Sequence, residues 1–132
     1  MAATRMFRVA AMPGLQCAPA FVAGAAALLH VLPYRVPSAI GRDAYRIVQE
    51  GLTNARKHAP DGAVAVSVRT TDTAVHVSID NRLSGDDLAL PGGERGLIGL
   101  RERVQLAGGT LRIDHSADRF TLVADLPYEA LR

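Results

Sequence analysis

The segment PSAIGRDAYRIVQEGLTNARKHAP, residues 37–60, constrains the fold more than any other stretch of the chain. Ile40, Ala44, Ile47, Val48, Leu52, Ala55 and Ala59 recur at helical spacing. Ser38 can cap the helix just after Pro37, and Pro60 ends it because the residue before a proline avoids the helical region. The spacing predicts a helix over about residues 39–58. Such a helix has one apolar stripe and cannot bury it alone, so the rest of the chain must supply a layer to receive it.

The sequence offers that layer as strands. Val64, Val66 and Val68 alternate, and so do Val75, Val77 and Ile79, with TTDT as a turn between them. This pattern describes a hairpin with one buried face. RLSGDDLALPGGER, 82–95, is polar and aperiodic and reads as a loop. In GLIGLRERVQLAGG, Leu97, Leu100, Val104 and Ala107 mark a second helix, stopped by Gly108 and Gly109. TLRIDHSADRFTLVADLP closes the chain as a second hairpin, with Leu111, Ile113, Phe120, Leu122, Ala124 and Leu126 facing inward. A short strand at Ala27–Leu32 would precede the first helix, ending before Pro33. The expected fold is therefore α+β, a two-layer sandwich. Its sheet is mixed, mostly antiparallel, with both helices on one face. Residues 1–26 read as a poorly patterned leader and 27–132 as one domain.

Composition narrows the functional classes. The 132 residues carry a net charge of only +2, and the basic residues are spread without aromatic interleaving, which argues against nucleic acid. A lone cysteine, Cys17, rules out a disulfide framework within the chain and a Cys-rich metal site, and fits a reducing compartment. The apolar run Ala18–Leu29 behind Arg5 and Arg8 has the outline of a signal peptide but no clean cleavage site, and it is shorter than the ~20 residues a bilayer requires. The expectation is a cytoplasmic domain with no membrane contact of its own, whether free-standing or the cytoplasmic part of a membrane-associated sensor system.

Candidate chemistry gathers at two places. Each helical residue advances about 100° around the axis, so Glu50, Asn54 and Lys57 form one narrow stripe, with His58 beside Asn54. A carboxylate, an amide oxygen and a cation along one edge suit a metal-bound polyphosphate. The amide oxygen can join a Mg²⁺ shell that keeps several waters, the carboxylate can take a proton, and Lys57 can balance phosphate charge. The bland alternative is a solvated, ion-paired helix edge. Gly92, Gly93, Gly96 and Gly99 surround the start of the second helix, where free N–H groups and a partial positive charge attract anions. The bland alternative there is a flexible loop and a glycine required by packing.

Taken together, YRIVQEGLTNARKHAP resembles the N-box of the GHKL, or Bergerat-fold, ATPases. GLIGLRERVQLAGGTL resembles the G2 region and following strand of sensor histidine kinases. The combination, over about Val36–Leu126, is most similar to the ATP-binding domain of the nitrate-sensor-like class of bacterial two-component kinases. The resemblance implies ATP and Mg²⁺ as ligands. Asn54 matches the magnesium-coordinating asparagine and Glu50 the N-box acid that activates a water or the phospho-acceptor. Lys57 and His58 fall where the family contacts phosphates. Gly93, Gly96, Leu97, Gly99 and Leu100 fall in the G2 cradle, and about Arg82–Arg95 would form a mobile lid. The implied partners are a dimerisation domain carrying the acceptor histidine and, through it, a response regulator. About 37 residues precede the first helix, too few for both that domain and a sensor, so the chain resembles the catalytic ATP-binding domain alone.

In this family a strand ends in an aspartate that reads the adenine amino group, in the pattern Asp-x-Gly-x-Gly. Identity points to Asp80, with Arg82 and Ser84 then in place of both glycines. Strand phase points to Asn81, which is in step with Val77 and Ile79. Both remain candidates, and a bulge would favour Asp80. Two rivals accompany the kinase reading. One is an anti-sigma-factor type serine kinase, favoured by the short length. The other is a non-catalytic binding module, favoured by Arg82, Ser84 and by Glu94 where a glycine is common. His30, His76 and His115 form no cluster that would support zinc, and Arg101 and Arg103 read as solvated helix charges.

Overall fold

The computed structural model describes residues 5–11, 36–58, 64–82, 94–116 and 118–129, and of 5–11, 55–58 and 94–96 the backbone only. The elements run in the order β1 (Arg5–Ala11), α1 (Ser38–His58), β2 (Val64–Thr70), β3 (Ala74–Arg82), α2 (Glu94–Leu106), β4 (Thr110–His115) and β5 (Arg119–Pro127). The five strands form one sheet in the order β1-β2-β3-β5-β4, and every described pairing is antiparallel. α1 packs on β3 and β5, while α2 packs on α1 and β4. The fold is the expected two-layer α+β sandwich.

Most boundaries follow the sequence pattern. Along β3 burial alternates, with Val75, Val77, Ile79 and Asn81 buried and the residues between them half-buried. On α1 Ile40, Ala44, Ile47, Val48 and Leu52 are buried, and they join Val64, Val66, Val68, Leu100, Val104, Leu122, Ala124 and Leu126 in one core. Each such Val, Leu or Ile side chain removed from water contributes roughly 1.5–3 kcal/mol, which is why periodicity predicted the elements so well. The first hairpin turns through Thr71, whose N–H donates to Ala74 O at 2.9 Å and whose Oγ1 accepts from Ala74 N at 3.1 Å. Tyr128 fastens that turn, donating from its N–H to Thr73 O and from its hydroxyl to Thr71 O. α2 ends as expected. Gly108 has φ +77°, its N–H donates to Gln105 O, and the Gly109 N–H donates to Val104 O. That pair of bonds is a Schellman ending. Gly109 is fixed by space as well, because a Cβ there would stand 2.2 Å from Asp125 O.

Two readings are corrected, and a third lies outside the described residues. A strand lies at Arg5–Ala11, inside the stretch read as unpatterned leader, and pairs with β2 along its whole length. The strand expected at Ala27–Leu32 lies outside the described residues. The Gly41 N–H donates to Pro37 O, so the helix cap position is Pro37 and Ser38 is already the first helical residue.

Candidate functional site

Gly51 sets the distance between α1 and the sheet. A Cβ on it would stand 2.1 Å from Ile79 Cδ1 and 3.3 Å from its Cγ1, so in this packing the Ile79 side chain fills the space a larger residue would need. Asn54 is three residues past Gly51, and Asn81 is two residues past Ile79. Each therefore lies one step beyond that contact on its own element, in the layer between helix and sheet. Asn54 is 7% exposed and Asn81 2% exposed. Asn54 Nδ2 and Asn81 Oδ1 are shielded from solvent and have no hydrogen-bond partner. Thr70 Oγ1, at the far end of β2 on the same face, is likewise buried without a partner. Leaving a buried polar group unmet costs about 1–3 kcal/mol, so the two amides beside the Gly51–Ile79 contact need a physical reason. Asn54 is thus no solvated helix edge. Glu50, one turn earlier, is half-buried and makes no ion pair among the described residues.

β3 separates the two adenine candidates. Asn81 is in phase with the core, flanked across the ladder by Val64 and Phe120. Asp80 lies on the opposite, open face, with Arg119 Nε 3.2 Å from its Oδ1. Oδ1 accepts no hydrogen bond, so the guanidinium meets it as a charge. No bulge interrupts the β2–β3 register to bring Asp80 round.

α2 places its residues unevenly. Gly99 is exposed, and a Cβ added there would meet nothing within 4 Å. Packing therefore does not require this glycine. The Leu100 side chain is buried in the core and Leu97 packs against it, so only their backbone could serve a ligand cradle. The side chains of Lys57 and His58, and all of Gly92 and Gly93, lie outside the described residues, as does most of the expected lid. Gly96 is described as helical backbone.

Other expected groups have structural partners. Arg103 Nη1 lies 3.6 Å from Asp43 Oδ1, tying α2 to α1, and Arg101 Nη1 donates to Leu111 O at 3.4 Å. Both side chains stay exposed, as expected of solvated helix charges, and make these contacts at the surface. His76 Nδ1 contacts Asp125 Oδ1 on the open face, and the His115 ring meets Phe120 edge-on at 6.1 Å. Two clefts escaped the sequence reading. One, of about 770 Å³, lies outside α1 and includes Arg42, Tyr45, Arg46 and Arg103. The other, of about 280 Å³, lies on the open sheet face and includes Ser67, Arg69, His76 and Asp125. Neither contains Glu50, Asn54 or Asn81, and neither is lined by a buried polar group lacking a partner. Among the described residues no three His, Cys, Asp or Glu side chains cluster to hold a metal, and no helix is long and apolar enough to cross a membrane.

With this geometry in hand, known proteins can be compared. The chain is 37% identical over 83 residues to the oxygen sensor histidine kinase NreB of Staphylococcus carnosus, covering 60% of this chain and 23% of that protein. It is 35% identical over 95 residues to the signal transduction histidine-protein kinase/phosphatase DegS of Brevibacillus brevis, covering 70% of this chain and 25% of that protein. A third relative, UhpB of Salmonella typhimurium, also a histidine-protein kinase/phosphatase, is 41% identical over 73 residues. These relatives are histidine kinases. The chain spans about a quarter of the length of the first two. No family model matches it. Its fold is shared with the histidine kinase domain of a blue-light activated kinase from Erythrobacter litoralis, with a TM-score of 0.55 at 19% identity over 82% of this chain and 59% of that one.

Proposed function

We propose that the chain is the ATP-binding catalytic domain of a two-component sensor histidine kinase of the nitrate-sensor-like class. It would bind ATP·Mg²⁺ and deliver the γ-phosphoryl group to a histidine on a separate dimerisation domain, which then serves a response regulator. The observation that carries this reading is the pair of buried, unpartnered amides, Asn54 and Asn81, on the helix-facing side of the sheet. The similarity to sensor kinases favours this branch over the serine-kinase rival.

The residues fit the ligands. Asn54 supplies an amide that no protein group satisfies, and its oxygen suits a hard cation that retains its waters. Magnesium would neutralise charge on the β- and γ-phosphates. The free N–H groups of the first turn of α2 would meet a phosphate, and Gly99, one turn further on, leaves the helix surface beside them uncovered. Asn81 faces the base. Counted from Asn81, the family pattern falls on Asn-Arg-Leu-Ser-Gly, which keeps its second glycine as Gly85. That register weakens the case for a degenerate module. Glu50 would accept the proton lost by the phospho-acceptor. The chain's work is positioning and charge balance, which phosphoryl transfer chiefly needs.

Calorimetric titration with a non-hydrolysable ATP analogue, with and without Mg²⁺, tests the reading. Wild type should bind in a Mg²⁺-dependent manner, and Asn54→Ala should weaken that binding by about a hundredfold or more, beyond the usual loss for groups that only orient a metal ligand. Binding by Asn54→Ala equal to wild type would refute the assignment.

A further inference from the structure

The residue on β3 that faces the covered layer is an amide, and an amide differs from a carboxylate in one respect that matters for base recognition. A carboxylate only accepts hydrogen bonds, whereas an asparagine presents one acceptor and two donors side by side. Asn81 Oδ1 has no partner. Its cross-strand neighbours on the same face, Val64 and Phe120, offer apolar surface and no hydrogen-bonding side-chain group. Among the described residues nothing holds the amide in one of its two orientations.

We infer that Asn81 reads the base edge with an amide free to turn over, so that the site accepts 6-oxopurine nucleotides alongside adenine nucleotides. This rests on the proposed nucleotide site and adds its base selectivity. Adenine offers an N6 donor beside the N1 acceptor, which matches Oδ1 and Nδ2 in one orientation. Hypoxanthine and guanine offer an O6 acceptor beside an N1–H donor, which matches the same amide turned by half a revolution. Each arrangement makes two hydrogen bonds, so neither base is penalised by an unmet group. A purine lacking any 6-substituent keeps only one of the two.

The test is calorimetry on the full chain with Mg²⁺ and three triphosphates: those of adenosine, inosine and unsubstituted purine riboside. Inosine isolates position 6 without the extra amino group of guanine. Wild type should bind the adenosine and inosine compounds within about threefold of each other, and the unsubstituted one about tenfold or more weaker, in line with the discrimination a bidentate amide gives. Asn81→Leu should bind all three weakly and alike while melting no lower than wild type. The wild-type comparison decides the matter even if the variant fails to fold. Inosine triphosphate weaker than ATP by more than about thirtyfold, or all three equal in wild type, would overturn the inference and leave the nucleotide site standing. No binding of any of the three would overturn the proposed function itself.

Discussion

Successive residues of β3 meet opposite surroundings. On the open face Asp80 lies 3.2 Å from Arg119 Nε, and two rows away His76 contacts Asp125. On the covered face Asn81 is more deeply buried, yet its Oδ1 meets no donor, and on α1 the buried Asn54 Nδ2 meets no acceptor. On the open face each of these carboxylates has a cationic or imidazole neighbour, whereas on the covered face the two amides have no partner among the described residues. Stability alone would favour the reverse arrangement. Folding free energy has therefore been given up at these two amides, and a ligand that completes them explains the arrangement.

Four substitutions probe this contrast, in falling order of effect. Gly51→Ala forces a methyl into Ile79 and should destabilise the fold by about 1–3 kcal/mol, with Ile79→Val in the same chain restoring part of the loss. Urea denaturation reads both, and an unchanged midpoint for Gly51→Ala would mean that the layer is looser than the structure shows. Asn81→Leu removes the unmet amide from an apolar setting and should stabilise the free protein by roughly 1–2 kcal/mol while weakening nucleotide. Loss of stability instead would mean that Asn81 has a structural role. Gly99→Ala should stabilise α2 by about 0.5–1 kcal/mol, since the new methyl meets nothing, yet weaken the binding of phosphate-bearing ligands. Unaltered nucleotide affinity in that variant would return Gly99 to a neutral surface position. Asp80→Ala should cost less than about 1 kcal/mol, an effect that salt diminishes, and leave nucleotide affinity unchanged. A large loss of binding there would move the site to the open face.

Periodicity carried much of this into the sequence. α1, both hairpins and α2 were legible because burial repeats every two or about 3.6 residues, and the same phase rule singled out Asn81 over Asp80. β1 was not legible. RMFRVAA is short, carries two arginines, and owes its place to pairing with β2, more than fifty residues away in sequence. The Arg103–Asp43 pair depends on how α2 crosses α1, which no local pattern encodes. The Leu100 side chain belongs to the core, as its helical spacing with Leu97 and Val104 implied, and that leaves its backbone alone for any ligand. Gly51 lay unremarked in the helix pattern, since a lone glycine does not announce a close approach until its neighbour is known.

The central claim is that the two unmet amides form a ligand site. Side-chain amide resonances of Asn54 and Asn81, followed by two-dimensional NMR as ATP and Mg²⁺ are added, test it most directly. Both should shift and saturate together, while signals from His76 and Arg119 on the open face stay where they are. Stationary Asn54 and Asn81 resonances at saturating nucleotide, or shifts confined to the open face, would contradict it.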